Sequence, residues 1–315
     1  MLSFSIVTPS YNQGRYLAAT IESVLGQEGD FTIDYVITDG GSKDNSVEII
    51  RAYEQQLASG AWPVRCRGIT YRWLSERDRG QSDAIQKGFA MATGDVLAWL
   101  NSDDTYLPGA LQTAATALAD PSVSVIYGKS QFTDEDGNVV GRYRTEPFDA
   151  ERLAVFNFIA QPSVFFRRAA FEGVGGIRDS LHYVMDFDLW IRMSRELRFV
   201  YVPELLSTFR LHDESKTVSR AHALANSKET LEEIHRHFGW APLNRVYGYA
   251  NQVVRSKLPA LANELVLIAL SVPVTAATYL RLNRGIRLAD LRMLNASNLR
   301  KLVMKSDDLA KHPEV

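Results

Sequence analysis

Apolar runs alternate with 3.6-period segments through the first hundred residues, and this alternation constrains the fold more than any other feature of the chain. "FSIVTP", from Phe4, reads as a strand, whereas Tyr16, Leu17, Thr20, Ile21, Val24 and Leu25 recur on one face of a helix that follows Gly14. Strand "IDYVITDGG", a helix from about Lys43 to Leu57, strand "ITYRWLSE", a helix from about Ser82 to Met91 and strand "DVLAWLN" continue the series. Strand–helix units repeated in this way predict a parallel sheet with helices on both faces. Ligands of such sheets bind beyond the carboxyl ends of the strands, so the segments that leave the strands carry the information about function.

Those segments are "TPSYN", "TDGGSKD", "SERDRGQSD" and "NSDD". All are polar, glycine-containing or acidic. Asp39, Asp78, Asp103 and Asp104 are therefore expected on one rim, with Gly40, Gly41 and Gly80 letting backbone N–H groups approach an anionic ligand closely. The adjacent carboxylates Asp103 and Asp104 repel each other and lose hydration where a strand leaves the core. They persist cheaply on a solvated turn or around a cation, and both readings stay open.

After about Asp120 the alternation gives way to other signals. "SVIYGKSQFTDEDGNVVGRYR" predicts a hairpin closing on Asp136-Gly137, and "QPSVFFRR" another strand. "DFDLWIRMSREL" predicts a helix with Phe187, Trp190, Ile191 and Leu197 as its apolar stripe, and "RFVYVPELLSTFRLH" a last strand. Strand signals cease near Ser215, which sets the expected boundary to a helical C-terminal extension. In that extension Leu265 to Leu280 carries no charge and lies between Arg255 and Lys257 on one side and Arg281, Arg284 and Arg287 on the other. The run is shorter than the ~20 apolar residues of a membrane span and contains Pro273, so a buried or bilayer-surface helix is expected. Peripheral contact with the inner membrane and homo-oligomerisation through these helices are the roles open to it.

A formal net charge of -2 leaves no electrostatic footprint for nucleic acid. Cys66 is the single cysteine, so no internal disulfide forms and no Cys/His zinc spacing exists. With a strand beginning almost at Met1 in place of a basic, cleavable apolar leader, a reducing, cytoplasmic location is expected.

From about Ser3 to Thr217 the chain resembles glycosyltransferase family 2, the inverting enzymes with the A-type glycosyltransferase fold. The stretches that carry the resemblance are "SIVTPSYNQGRYLAATIESVLGQ", "YVITDGGSKDNS", "SERDRGQSDAIQKGFAMATGDVLAWLNSDD", "MDFDLW" and "FRLHDESKT", in that order. The resemblance implies an α/β fold: a Rossmann-like nucleotide-binding sheet, a mixed acceptor-side β region, and the helical extension. It divides the chain into a catalytic domain over 1–215, with a nucleotide-binding half (1–104) and an acceptor-binding half (105–215), followed by 216–315.

Carried onto matching positions, the family pattern places Thr8, Pro9, Ser10 and Tyr11 along the nucleotide pocket and gives Asp39 the imide N–H of the base, which favours a uridine donor, with guanine, which also offers an N–H, as the alternative. Gly80, Gln81 and Asp83 of the "GQSD" turn would lie near the diphosphate and donor sugar, with Lys87 one turn on. Asn101, Ser102 and Asp103 occupy the metal-binding DxD position, so Asp103 would hold Mn²⁺ or Mg²⁺ nearly alone, and His212 stands where a C-terminal histidine closes over the metal. Asp186 stands at the catalytic base, preceded by Met185 where the family usually has an acid.

The implied reaction moves a sugar from a nucleotide-sugar donor to a saccharide or lipid-linked acceptor, as in cell-surface polysaccharide synthesis. A divalent ion would act as Lewis acid on the diphosphate and a carboxylate would take the proton of the acceptor hydroxyl. A sugar-nucleotide-binding protein without catalysis and a sugar-phosphate nucleotidyltransferase are the competing classes. The latter needs an N-terminal loop of repeated glycines, which "TPSYNQGRY" lacks. Residue by residue, plainer roles also stay open: Asp39 as a turn former, Asp186 as a helix N-cap, His212 as a structural histidine, Lys87 as a solvated helix residue and Asp188 as the base in place of Asp186.

Overall fold

The computed structural model describes residues 1–212, 215, 222–258 and 263–291. The last part of the "FRLHDESKT" stretch, other than Ser215, lies outside the described residues. Apolar runs build β1 (Leu2–Ser10), β2 (Phe31–Asp39), β3 (Gly68–Ser75) and β4 (Val96–Trp99), and the intervening 3.6-period segments build α1 (Gly14–Leu25), α2 (Ser46–Ala58) and α3 (Gln81–Met91). These strands are parallel in the order β3-β2-β1-β4. Ser10 pairs with Asp39, Asp39 with Ser75, and Val7 with Trp99, so all four strands leave the sheet at one edge.

The remaining strands are β5 (Thr105–Tyr106), β6 (Val125–Thr133), β7 (Val139–Arg142), β8 (Val164–Arg167) and β9 (Phe199–Arg210). They extend the same sheet beyond β4 in the order β8-β6-β9-β5, with β7 paired to β6. The β8 strand is antiparallel to β4 and to β6, and β6 is parallel to β9. A Rossmann-like block continued by a mixed β region is the predicted architecture.

Details of the prediction are corrected. After β4 come elements that the sequence reading did not place: Thr20 Oγ1 on α1 donates to the Asp104 carbonyl (2.8 Å), and the chain enters the two-residue β5 against β9 before α4 (Ala110–Ala117) begins. The helix expected from Lys43 starts only at Ser46, because Asp44 accepts from the Ser46 N–H and hydroxyl and holds the preceding residues in a turn. "QPSVFFRR" opens with a 3₁₀ turn at Gln161–Ser163 before β8. The α7 helix (Met185–Ser194) ends before Leu197, which drops that residue from the helical stripe.

The core lies on both faces of the parallel block. Phe4, Ile6, Leu17, Ile21, Phe31 and Ile33 fill one face. On the other, Phe89 and Phe166, with Phe171 packed on both, meet Trp99, which stacks on Trp190 of α7 with centroids 5.5 Å apart and planes 16° from parallel. The α3 helix reaches this face because residue 88 is glycine: a Cβ there would lie 2.3 Å from Val7 Cγ1.

The described chain forms two compact units. The first comprises Met1–Phe148 and Phe158–Arg210, and holds the sheet. The second comprises Asp149–Asn157 with the chain from Leu211 onward, and includes α8 (Ala223–Phe238), α9 (Leu243–Lys257) and α10 (Glu264–Asn283). The α10 segment is the uncharged run noted above. It is a continuous helix, but most of its large apolar side chains are exposed, so the alternative of a buried helix is not what the structure shows.

Candidate functional site

Four strand exits and two loops meet at the carboxyl edge of the parallel block, tied together by side-chain hydrogen bonds. The Asp39 carboxylate, only 1% exposed, anchors the β2 exit. Its Oδ2 accepts from the Gly41 and Ser42 N–H groups (3.0 Å each) and from Ser75 Oγ at the end of β3 (2.6 Å), and its Oδ1 accepts from the Ser42 hydroxyl. A carboxylate offers about four acceptor positions, so its capacity for a ligand N–H is confined to Oδ1.

Thr8 and Pro9 are buried, and Thr8 Oγ1 shares a hydrogen bond with the Tyr35 hydroxyl at 3.0 Å. Ser10 is also buried, but its hydroxyl has no hydrogen-bond partner among the described residues. Tyr11 is 59% exposed, and its ring lies against Gly40, where a Cβ would stand 2.6 Å from Asp78 Oδ2. Glycine at 40 thus lets the tyrosine face and the Asp78 carboxylate share one opening. Asp78 also caps the turn to α3 by accepting from the Gly80 N–H, at a φ of +112° that glycine adopts without strain.

Asp83 is committed to its own turn. It accepts from the Arg79 N–H and guanidinium and lies 3.5 Å from Lys87 Nζ. The Arg79 bonds hold its carboxyl below the usual range. Lys87 also donates to Glu76, which raises its own pKa. Gln81 donates to Asn101 Oδ1 at 2.7 Å, and Asn101 donates to Gln161 Oε1 (3.2 Å) and Asp104 Oδ2 (3.3 Å). Gln161 closes the ring by donating to the Trp99 carbonyl at 2.7 Å. The GQSD turn, the NSDD turn and the start of β8 are therefore one network.

The adjacent acids divide their roles. Asp104 is 1% exposed, and burial, reinforced by the neighbouring Asp103 charge, pushes its carboxyl well above the usual range. It accepts from the Arg210 N–H at 3.0 Å and so pins the end of β9. Asp103 remains partly exposed, and Ser102 is buried beside it. Arg210, which the sequence reading missed, lies beneath the turn. It donates to the carbonyls of Asp103 (3.0 Å), Asp134 (3.1 Å) and Glu135 (2.8 Å), and its guanidinium sits 4.9 Å from the Tyr16 ring centroid.

Asp186 and Asp188 show the same division. Asp188 is 0% exposed, lies 2.9 Å from Arg178 Nη1 and accepts from Arg192 Nε at 2.8 Å. Arg192 in turn donates to the Val174 and Gly176 carbonyls, so Asp188 is the centre of a structural knot. Asp186, in the first turn of α7, remains partly exposed; the N-cap residue of that helix is Val184, which makes no side-chain cap bond. The loop before α7 is fixed to the site edge because Ser82 Oγ donates to the Leu181 carbonyl at 2.6 Å, and the helix itself because Trp190 stacks on Trp99. His212 belongs to the second unit, where it is buried and its carbonyl accepts from the Ser215 N–H.

Comparison with known proteins gives this arrangement its family. The profile described as "Glycosyl transferase family 2" matches residues 5–175. An uncharacterized glycosyltransferase of Nostoc sp. is 27% identical over 228 residues, 71% of this chain and 66% of the relative, so the match spans about two thirds of that protein. Among solved structures, the mannosyltransferase PcManGT of Pyrobaculum calidifontis, in complex with GDP-Man and Mn²⁺, superposes with a TM-score of 0.59 at 16% identity, covering 98% of this chain and 83% of that one. Residues 1–349 of S. aureus TarS in complex with UDP-GlcNAc superpose with a TM-score of 0.55 at 14% identity, covering 90% and 91%. These likenesses at low identity share the fold, and the profile covers more than half of the sequence: the chain belongs to glycosyl transferase family 2 and is a glycosyltransferase.

Proposed function

We propose that the chain transfers a sugar, with inversion, from a nucleotide-sugar donor to a hydroxyl of a saccharide or lipid-linked saccharide, with Asp186 as general base. The contrast between Asp186 and Asp188 carries this reading. Only Asp186 is accessible to an acceptor, while Asp188 spends its charge on Arg178 and Arg192. Tyr11 offers an exposed ring face to the base, Asp39 Oδ1 an acceptor for its N–H, and the unpartnered Ser10 hydroxyl a further polar contact in the same row. A uridine donor suits these groups. The acceptor class fits the synthesis of cell-surface polysaccharide.

The residues of the NSDD turn fit a divalent cation of the Mg²⁺ or Mn²⁺ kind. Such ions take one or two carboxylates and complete their shell with phosphate oxygens and water. Of the two aspartates, Asp103 alone reaches solvent, which suits an ion that arrives with the diphosphate. When bound, the ion supplies Lewis-acid stabilisation of the departing diphosphate. The protein's share is to hold Asp103 through Arg210, to order the donor side through Gln81 and Asn101, and to take the acceptor proton at the Asp186 carboxylate.

The test is Asp186→Asn. Thermal shift with a panel of nucleotide sugars should show donor binding like the wild type, since a ligand at 100 times its Kd stabilises by about 2.7 kcal/mol. Transfer should fall by about 10²–10⁴-fold, the usual contribution of a positioned base. Undiminished turnover, or a product that retains the anomeric configuration of the donor, refutes the proposal.

A further inference from the structure

The α10 helix is inverted in polarity. Its buried positions, Leu267, Ser271, Thr275 and Tyr279, follow one another at intervals of four, and three of them carry hydroxyls. Ser271 accepts from Asn251 Nδ2 of α9 at 3.3 Å and donates to the Leu267 carbonyl, and Tyr279 packs with Leu231 and Val246. The opposite face presents Leu265, Val266, Leu270, Val272 and Leu280 to the outside, with Leu265 64% and Leu280 56% exposed. No charged residue interrupts this face between Glu264 and Arg281. A helix in water buries its apolar stripe and exposes its hydroxyls; this one does the reverse.

Both ends of that face carry excess positive charge. Arg281 and Arg284 lie at the C-terminal end, followed by exposed Ile286 and Leu288; toward the other end Arg255 is paired with Glu264, which leaves Lys257 of α9 in excess. Self-pairing of two such helices, in either direction, brings these charges toward one another, whereas anionic headgroups neutralise them at both ends. The α9 helix packed alongside bonds Asn251 to Ser271 midway along α10, and a spanning α10 would draw this amide and the polar face of α9 beside it into hydrocarbon. We infer that the exposed face of α10 is a docking surface for an anionic lipid bilayer, lying in its interface without crossing it.

The experiment uses the full chain with mixed phosphatidylglycerol–phosphatidylcholine vesicles and with pure phosphatidylcholine vesicles, read by flotation. Binding is expected to the anionic vesicles, to weaken at high salt, and to be released by alkaline carbonate. Leu270→Glu, at an exposed position, should lose at least about tenfold in vesicle affinity while hydrolysis or transfer with soluble substrates is unchanged. Arg281→Gln should lose about fivefold, the worth of one surface cation. Wild-type protein that stays with the buffer fraction overturns the inference, as does Leu270→Glu that floats as well as wild type. Resistance to carbonate overturns the surface mode in favour of a span. A dimer in solution that Leu270→Glu dissociates, without vesicle binding by either protein, gives the face to a second copy.

Discussion

Arg210→Ala removes a side chain that joins the NSDD turn to the β6–β7 hairpin. The wild-type guanidinium, 7% exposed, donates to three carbonyls and lies on the Tyr16 ring. Asp134 and Glu135 lie at a half-exposed turn, so their carbonyls regain water in the variant. What is lost outright is the bond to the Asp103 carbonyl, about 1.5–3 kcal/mol for a charged donor, and the contact with Tyr16, about 0.5–2 kcal/mol. The backbone N–H of residue 210 still reaches Asp104, so the end of β9 keeps its anchor. A loss of about 2–5 kcal/mol in a unit of about 200 residues lowers the melting temperature by roughly 5–15 °C. Arg210→Lys keeps the charge but cannot spread over three carbonyls and should fall between the two. Calorimetry and Mn²⁺ titration of activity read the result: the variant should melt early and need more metal for half-maximal rate. Melting within about 2 °C of wild type, with unchanged metal demand, refutes this account of Arg210.

The other expectations are more compact. Asp188→Asn breaks a buried ion pair and should cost about 3–5 kcal/mol in urea unfolding; a variant as stable as wild type but without turnover would move the base from Asp186 to Asp188. Asp104 binds its proton more tightly in the folded state, so its contribution to stability is complete below the ordinary carboxylate pKa of about 3.9 and is withdrawn as pH rises through its raised value. Asp104→Asn should therefore gain on wild type in melting temperature as pH is raised from acid to neutral, and a constant difference across that range refutes the assignment. Chelator should abolish transfer while leaving the melting temperature of nucleotide-free protein unchanged; a fall in that temperature would show a resident ion in place of one that arrives with the donor.

The parallel block was legible because its strands and helices are long enough for an apolar run and a 3.6 period to separate, as in β2 against α1. The two-residue β5 and the six-residue α5 (Ala150–Val155) and α6 (Arg168–Gly173) are too short to show any period, and their positions come from tertiary pairing. The acidic exits were legible as residue types, but not their division of roles, since adjacent aspartates look alike in a sequence. Arg210 and Gln161 were missed for different reasons. Gln161 opens a segment read as a plain strand and makes its bonds to residues about sixty positions away. Arg210 left a trace: it shares the inward phase of β9 with Leu206 and Thr208, and a charged residue at a buried phase requires buried acceptors.

Asp103-Asp104 and Asp186/Asp188 meet the same physical problem. The proposed handling of a cation and a proton needs carboxylates at the surface, yet the turns that carry them leave a packed sheet and must be held by something that tolerates no slack. In each case one acid is taken inside and spent on an arginine or its backbone: Asp104 on the Arg210 N–H, Asp188 on Arg178 and Arg192. Its neighbour is thereby held at the rim and left accessible. Buried charge is expensive, so this arrangement is stable only where the partners are already fixed by other bonds, as Arg192 is by the Val174 and Gly176 carbonyls and Arg210 by the hairpin. The accessible acids owe their position to the inaccessible ones, which is why a substitution at Asp188 or Arg210 is expected to reach the chemistry through geometry and stability, and one at Asp186 through the proton.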